Sequence, residues 1–370
     1  MHETIYFDNA STTPPIDDSQ LSKFYDEWYM NPSSPHTGGI AASRALHKAR
    51  EKIFSTTRFP LGAITFTSGG TEANNLALLG YARTLGKRQL QIFAESWQHP
   101  SVIEPLKSIV DNKHVHATFV EHNNWQIPSH GHVLVALTHV SHETGDIYDV
   151  NTIASAIKKH NRDAVIHVDG VQGFCKDCLQ LADIDMYSVS SHKLHGPEGV
   201  GFLYVKKGIK LKPLFYGGNQ EAGLRSGTEP VNSITKLALI VESLMDCYSN
   251  RKELVEKVKS RIIELEKVIP DTHINSLSNN VSPYILNISF LGVKGEVLVH
   301  LLAERGVFAS MGAACKSRKK EMTTLELMGF NRARAESAVR FSFSHLNTVS
   351  EAEYACNIIE SCVSMLRRIS

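Results

Sequence analysis

The sequence predicts an α/β fold, in which a large domain has a mostly parallel sheet covered by helices and a smaller domain is α+β. Two observations predict it. Between Leu61 and Val205, short β-rich runs alternate with runs of helical periodicity, as in parallel sheets joined by crossover helices. Beyond that region a long charged helix leads into strands and helices in mixed order. A chain of 370 residues is long enough for two domains. We expect a large domain at 14–245 and a small domain made of 1–13 plus 246–370.

The expected elements follow from short apolar runs and from the spacing of apolar residues. In the large domain, the predicted strands are "AITFT", "LQIFAE", "VLVALTHV", "AVIHVD", "MYSVS" and "GFLYV". Helical patterns between them include "TEANNLALLGYARTLG" and "VNTIASAIKKHN". The small domain is expected to contain the helix "SNRKELVEKVKSRIIELEKVI", the strand "YILNISF", the helix "GEVLVHLLAERG", the strand "AVRFSFS" and a closing amphipathic helix.

Composition excludes several classes of function. Hydrophobic residues make up 42% of the chain, charged residues 21%, and the formal net charge is +1. This balance gives no support for direct nucleic-acid binding or for an anionic membrane surface as the main partner. No apolar run approaches the roughly 20 residues of a membrane helix, and the first residues do not resemble a secretory signal. We therefore expect a cytoplasmic protein.

Cysteine usage favours neither a disulfide framework nor a metal site. Six cysteines are too few and too scattered to cross-link a chain of this length. Cys175 and Cys178 form a C-x-x-C pair, but no second pair lies at zinc spacing. We expect no bound metal.

Polar residues follow several of the predicted strands. Ser68, His139, Asp169 and Ser190 each close one of them. Because parallel strands present their carboxyl ends at one edge of the sheet, ligands gather there. At "SGGTEANN", Gly70 and Thr71 begin a helix whose backbone N–H groups suit a phosphate, although simple helix capping explains the motif equally well.

A lysine in "SSHKLHGPEGVG" lies directly after a predicted interior strand. A solvated turn is the ordinary interpretation of Lys193, and an amine kept for covalent chemistry is the alternative. Asp169 and Gln172 close the preceding predicted strand and favour the alternative. Pyridoxal phosphate needs a lysine for its Schiff base, a carboxylate beside its pyridine nitrogen and a donor to its ring oxygen. Ser190 and His192 suit its phosphate.

An ordered set of motifs extends from one end of the chain to the other. It comprises "YFDNASTTPP", "NPSSPH", "SGGTEANN", "WQHPSV", "HVDGVQ", "SSHKLHGPEGVG", "GLRSGTEPV", "YILNISF", "SMGAACKS" and "VRFSFS". In this order they resemble the NifS-like cysteine desulfurases, which belong to the class V aminotransferase group of fold-type I pyridoxal-phosphate transferases. The resemblance implies conversion of L-cysteine to L-alanine, with the sulfur passed to an acceptor protein.

The same resemblance implies a role for each matching position. Lys193 would hold the cofactor and shuttle the substrate α-proton, Asp169 would pair with the pyridinium, and His99 would stack on the ring and take part in catalysis. Gln172 would contact the ring oxygen. The implied phosphate ligands are Gly70, Thr71, Ser190, Ser191 and His192. Thr228 would reach the phosphate of a neighbouring subunit, which implies a homodimer.

The resemblance also implies a substrate side of the site. Arg340 would bind the substrate carboxylate, with Asn31 and His142 nearby, and His142 would also contact the cofactor. Cys315 in "SMGAACKS" would attack the substrate sulfur and carry it as a persulfide. Lys316 and other basic residues follow it and favour the reactive thiolate.

The chain departs from the family pattern at four places. His142 replaces an asparagine of the usual "NNEIG", and Asn219 and Ala222 replace glycine and arginine in "GGGQERGLRSGT". The nucleophile motif reads "SMGAAC" rather than "SSGSAC". The chain ends at Ser370, without the longer tail that housekeeping members use towards an iron–sulfur scaffold. Two alternatives therefore stay open: another class V enzyme, such as an aminotransferase or a selenocysteine lyase, or a degenerate partner subunit without catalysis.

Overall fold

The computed structural model describes residues 4–16, 29–57, 59–110, 113–120, 125–177, 181–311 and 322–369. The chain forms two compact units: a large one, Pro14–His139 with Asp149–Asp246, and a small one, Met1–Thr13 with Val140–Tyr148 and Cys247–Ser370. The segment Val140–Tyr148, which the sequence analysis left in the large domain, thus belongs to the small unit.

The helices of the described residues are, in chain order, α1 (Thr37–Thr57), α2 (Gly70–Leu85), α3 (Pro100–Ile109), α4 (Val150–His160), α5 (Val231–Asp246), α6 (Tyr248–Ile263), α7 (Leu265–Val268), α8 (Gly295–Glu304), α9 (Thr324–Leu327), α10 (Arg332–Glu336) and α11 (Val349–Ile369). Two short 3₁₀ turns cover Ser191–Lys193 and Glu221–Gly223.

The strands are β1 (Ile5–Tyr6), β2 (Gly62–Thr67), β3 (Leu90–Glu95), β4 (Val115–Val120), β5 (His132–Thr138), β6 (Val165–Asp169), β7 (Met186–Ser190), β8 (Gly201–Lys206), β9 (Thr272–Ile274), β10 (Ile285–Phe290), β11 (Val307–Phe308) and β12 (Ala338–Ser342). The strands expected from the sequence in the large domain are confirmed as β2, β3, β5, β6, β7 and β8.

The large unit is built on a seven-stranded sheet in the order β2-β8-β7-β6-β5-β3-β4. Strand β8 runs antiparallel to both neighbours, and the pairs from β7 to β4 are parallel. The mostly parallel sheet predicted from the sequence is therefore confirmed. Its central strands are buried along their whole length, which explains their continuous apolar runs.

Edge strand β4 was not predicted. Its sequence, "VHATFV", mixes polar and apolar residues, and only Val120 is fully buried. An edge strand is paired on one side only, so it does not need the apolar run that identifies an interior strand.

Helix α2 buries one face against the sheet. Its buried residues include Ala73, Ala77, Leu78 and Tyr81, and Asn74 shares this face. Positions 74, 77, 78 and 81 have the spacing of one helical face. A fully buried asparagine among apolar residues needs hydrogen-bond partners, and it finds them in the site described below.

The small unit combines two small sheets with helices. Strands β12, β10 and β9 form an antiparallel sheet, and β1 pairs in parallel with β11. Its core contains residues of β10, β12, α6, α8 and α11 together with Phe7, whose ring packs edge-on against Phe343 at 5.1 Å. No helix within the described ranges is both long enough and apolar enough to cross a membrane.

Segment Val140–Tyr148 is fixed to the small unit by a buried carboxylate. Asp146 accepts hydrogen bonds from Thr144 Oγ1 at 2.6 Å, from Ser276 Oγ at 2.7 Å and from the backbone N–H groups of Leu277 and Ser278. Asn287 of β10 donates to Glu143 Oε1 at 3.0 Å. Charged hydrogen bonds of this kind hold a loop as firmly as a strand pair does.

We expect Glu221→Ala to destabilise the large unit. The Glu221 carboxylate is buried, bonds Arg50 Nη2 at 2.8 Å and accepts from the Phe66 backbone N–H at 2.8 Å. Its loss leaves Arg50 uncompensated, which costs about 3 kcal/mol of unfolding free energy. Urea unfolding checks this, with Glu104→Ala in the exposed Glu104–Lys107 pair as the control that changes nothing measurable. Equal midpoints for the two variants would contradict the assignment.

Candidate active site

Three parallel strands of the large unit end at one edge. Asp169 is paired in register with Thr138 on one side and with Ser188 on the other. His139 follows β5, Asp169 closes β6 and Ser190 closes β7. The structure therefore places these predicted strand-end residues side by side, at the position where open α/β sheets bind their ligands.

The N-terminus of α2 lies at the same edge. Its N-cap is Gly69, with φ of 151° and no side-chain cap. A Cβ on Gly70 would lie 2.6 Å from Val171 Cγ2 and 3.4 Å from Ser190 Cβ, so only glycine fits there. Without a capping side chain, the first N–H groups of α2 are available to an anion. Thr71 is exposed in this first turn.

An ion pair holds the start of α2. Glu72 accepts from the Ser68 backbone N–H at 2.7 Å and from Arg225 Nε at 3.1 Å. Arg225 lies in the segment that carries Thr228, which is itself exposed. In that segment Asn219 and Ala222, two of the departures from the family pattern, have φ of 62° and 56°. Asparagine tolerates this left-handed region better than most residues, whereas alanine is strained there.

Lys193 ends the 3₁₀ turn after β7 and is half-buried. Burial, together with the amines of Lys193 and Lys176, lowers the pKa of the neighbouring His192 to about 4. His192 is therefore neutral at pH 7, and the positive charge of this corner comes from the two lysines. Ser191 is fully buried, and a Cβ on Gly196 would lie 2.1 Å from its Oγ, so the turn needs glycine at 196.

The Asp169 carboxylate is 7% exposed and accepts two hydrogen bonds. Asn74 Nδ2 donates to Oδ2 at 2.9 Å, and the Val171 backbone N–H donates to Oδ1 at 3.0 Å. These two donors fix the orientation of the carboxylate. The Asp169 side chain thus fixes the turn after β6 to helix α2.

His99 caps α3. Its Nδ1 accepts from the Ser101 backbone N–H at 3.1 Å and lies 2.7 Å from Ser101 Oγ, while the residue as a whole is exposed. One edge of the imidazole is therefore fixed at the start of α3.

A buried network supports the turn that carries Gln172. His139 Nδ1 lies 2.8 Å from Tyr187 Oη, and His139 Nε2 lies 3.2 Å from Asp177 Oδ2. Gln172 is buried, and its Oε1 accepts from Lys176 Nζ at 3.5 Å. His139, which the sequence placed at the strand edge, thus acts in the packing of this turn.

Arg340 lies on β12 of the small unit, with its side chain 6% exposed. Its Nη1 donates to the His142 carbonyl at 2.8 Å, and Nη2 donates to Ser11 Oγ at 2.9 Å and lies 3.4 Å from Asp8 Oδ1. Within the described residues, no acceptor bonds the buried Nε. A buried guanidinium N–H without a partner is typical of a site that receives an anion.

Two predicted positions have other surroundings. Asn31 is exposed, and its Oδ1 accepts from the Ser33 backbone N–H at 2.9 Å. Cys315 lies outside the described residues. Among the described residues, the backbones of Ser310 and Arg340 exchange hydrogen bonds of 3.0 and 2.7 Å.

Sequence reasoning missed the residues that support the site. Asn74 and Ser101 contact Asp169 and His99, and Ser11 holds Arg340. One signal was present: Asn74 interrupts the apolar face of α2. Ser101 and Ser11 carry no such signal, since serine at a helix start or in a turn is ordinary.

Comparison with known proteins agrees with this geometry. The sequence profile described as aminotransferase class-V matches residues 5–354. The chain belongs to the class V aminotransferase family. It is 32% identical to the cysteine desulfurase IscS of Dictyoglomus turgidum, covering 100% of this chain and 97% of that protein.

Solved structures give the same result. A NifS-like protein superposes with a TM-score of 0.87 at 32% identity, covering 98% of this chain and 100% of the other. A structure described as SspA in complex with cysteine has a TM-score of 0.74 at 27% identity, covering 92% of this chain and 99% of the other. The fold-type I architecture predicted from the sequence is confirmed.

Proposed function

We propose that this family member is a pyridoxal-phosphate-dependent cysteine desulfurase, which converts L-cysteine to L-alanine and passes the sulfur to an acceptor. The observation that carries the proposal is the convergence of an uncapped helix start, a buried carboxylate and a strand-end lysine at one edge of the large unit. Full-length similarity to cysteine desulfurases supports the choice of substrate.

The residues of the large unit fit the cofactor by their chemistry. Gly70 at the start of α2 packs against Val171 and Ser190 with no room for a Cβ, and no side chain caps the first N–H groups of this helix. Lys176, near His192, adds positive charge, which suits a phosphate. The Asp169 carboxylate, held by two donors, suits a pyridinium N–H. Gly70, Thr71, Ser190, Ser191 and His192 would hold the phosphate, with Gln172 and His99 at the ring.

When bound, pyridoxal phosphate supplies an electron sink for the bond-breaking step. Asp169 would keep the ring nitrogen protonated, because its negative charge opposes loss of that proton. Lys193 would hold the cofactor through its amine and then carry the substrate α-proton. Arg340 would bind the substrate carboxylate, and His142 and Asn31 would contact the same substrate molecule. The Cys315 thiolate would attack the substrate sulfur, giving L-alanine and a persulfide on Cys315.

We expect Arg340→Lys to weaken substrate binding. A lysine keeps one charge but cannot replace three guanidinium contacts and still present an N–H to a carboxylate. The expected result is an increase of about 100-fold in KM for L-cysteine with a smaller change in kcat. Steady-state kinetics measure both. Arg332→Lys, in the exposed Arg332–Glu336 pair, is the control. An unchanged KM would remove Arg340 from the substrate site.

Sulfur transfer to Cys315 is the decisive test. Purified protein loaded with cofactor is incubated with L-cysteine without reductant, and intact mass and peptide mapping follow. We expect a gain of one sulfur atom at Cys315, an equal amount of L-alanine, and loss of the adduct in Cys315→Ala. In a parallel reaction with dithiothreitol, which reduces the persulfide, the wild type is expected to release sulfide and Cys315→Ala is not. Turnover that needs a 2-oxo acid instead would indicate an aminotransferase. Selenide release with little sulfide would indicate a selenocysteine lyase, and cofactor binding without any turnover a non-catalytic subunit.

The partners belong to the same proposal. Exposed Thr228 suits a contact with a neighbouring subunit, so we propose a homodimer. The acceptor protein is defined only by its chemistry, which is to take a sulfane sulfur from a persulfide. A cytoplasmic location and the lack of direct nucleic-acid binding stay predictions from composition.

A further inference from the structure

A chain of hydrogen bonds joins Asp169 to His99 inside the large unit. Asn74 Nδ2 donates to Asp169 Oδ2 at 2.9 Å and to Ser101 Oγ at 2.9 Å. Ser101 Oγ lies 2.7 Å from His99 Nδ1. Asn74 is fully buried, and Ser101 and Asp169 are 8% and 7% exposed, so water does not compete for the two bonds that Asn74 donates.

The direction of each bond is fixed by chemistry. An ionised carboxylate only accepts, so the Asn74 amide must turn its NH₂ towards Asp169. The second N–H of that amide then donates to Ser101 Oγ, which leaves the hydroxyl proton of Ser101 for His99 Nδ1. The Ser101 backbone N–H donates to the same nitrogen at 3.1 Å. With two donors on Nδ1, the proton of the neutral imidazole resides on Nε2.

We propose that Asn74 and Ser101 are positioning residues that couple Asp169 to His99, so that the two side chains facing the cofactor ring are oriented as one unit. Their role in cofactor binding rests on the proposed function, whereas the coupling itself is a property of the protein alone. Both residues act through others, since neither is proposed to touch the ring.

Nitrogen NMR of the cofactor-free protein tests the coupling directly. Histidines are labelled with ¹⁵N, and His99→Gln assigns the His99 signals. We expect an unprotonated Nδ1 in the wild type and a shifted Nδ1 resonance in Ser101→Ala, restored by Ser101→Thr, which keeps the hydroxyl. Asn74→Leu is expected to move the same resonance when Ser101 is present and to add nothing in the Ser101→Ala background.

Cofactor affinity gives a second readout. Titration of the cofactor-free protein with pyridoxal phosphate is expected to show about fivefold to tenfold weaker binding for each single variant. The double variant is expected to lose no more affinity than the single variant that binds more weakly, because both substitutions break the same chain of hydrogen bonds. The matched control is Ser108→Ala in α3, whose hydroxyl donates to Pro105 O at 2.7 Å.

The outcomes separate this inference from the proposed function. Multiplicative losses in the double variant, or an Nδ1 resonance that Ser101→Ala does not move, would overturn the coupling. If Asn74→Leu does not fold, Asn74→Ala replaces it. The Ser101→Ala and Ser101→Thr variants are then sufficient to decide whether the coupling exists. A wild type that does not bind pyridoxal phosphate would end the proposed function, while the NMR result would still decide whether Asn74 and Ser101 couple the two side chains.

Discussion

Lys193→Ala is expected to lower kcat for L-cysteine by about 10⁴-fold, because one amine is proposed both to hold the cofactor and to move the α-proton. Borohydride reduction of the wild-type holoenzyme followed by peptide mapping should place the pyridoxyl group on residue 193, and the variant should carry none. Since Lys193 contributes to the low pKa of His192, the variant should also show a higher His192 pKa by NMR.

Labelling of a different lysine would contradict the assignment of Lys193. Lys176 is the other lysine whose charge acts on His192, and its Nζ lies 3.5 Å from Gln172 Oε1. A pyridoxyl label on Lys176 would show that Lys176, and not Lys193, holds the cofactor. Lys206→Ala at the end of β8, whose amine bonds the Ala182 carbonyl, is the control and should keep its label on residue 193.

Asp169→Asn is expected to reduce kcat by about 10²- to 10³-fold, since it removes the buried negative charge proposed to keep the ring nitrogen protonated. The amide also cannot accept from both Asn74 and the Val171 N–H with the geometry of a carboxylate, so one donor loses its partner. Single-turnover kinetics and the absorbance of the bound cofactor measure the effect.

Strand β6 supplies the control for that change. Asp163, two residues before β6 begins, is exposed at the opposite end of the strand. Asp163→Asn removes the same charge and should leave kcat unchanged. A loss below about threefold for Asp169→Asn would show that the reaction does not depend on its charge.

The sheet and the chemistry expected at its edge could be predicted from the amino-acid sequence. Interior strands such as β6 and β7 are buried on both faces, and burial demands the apolar runs that make them visible. Lys193 could be identified for the opposite reason. Burial of a charged residue directly after such an apolar run is energetically costly unless the residue has a function. Ordered motifs along the chain indicated the family, which the comparisons confirmed.

The side chains that support those residues could be identified only in the folded protein. Asn74 and Ser101 are 27 positions apart and come together because α2 and α3 both begin at the carboxyl edge of the sheet. Likewise, Arg340 contacts Ser11 and the His142 carbonyl, which belong to distant parts of the chain, and segment Val140–Tyr148 joined the small unit through Asp146. The spacing of apolar residues indicates which face of a single helix or strand is buried. Hydrogen bonds between elements depend instead on how those elements pack in the tertiary structure.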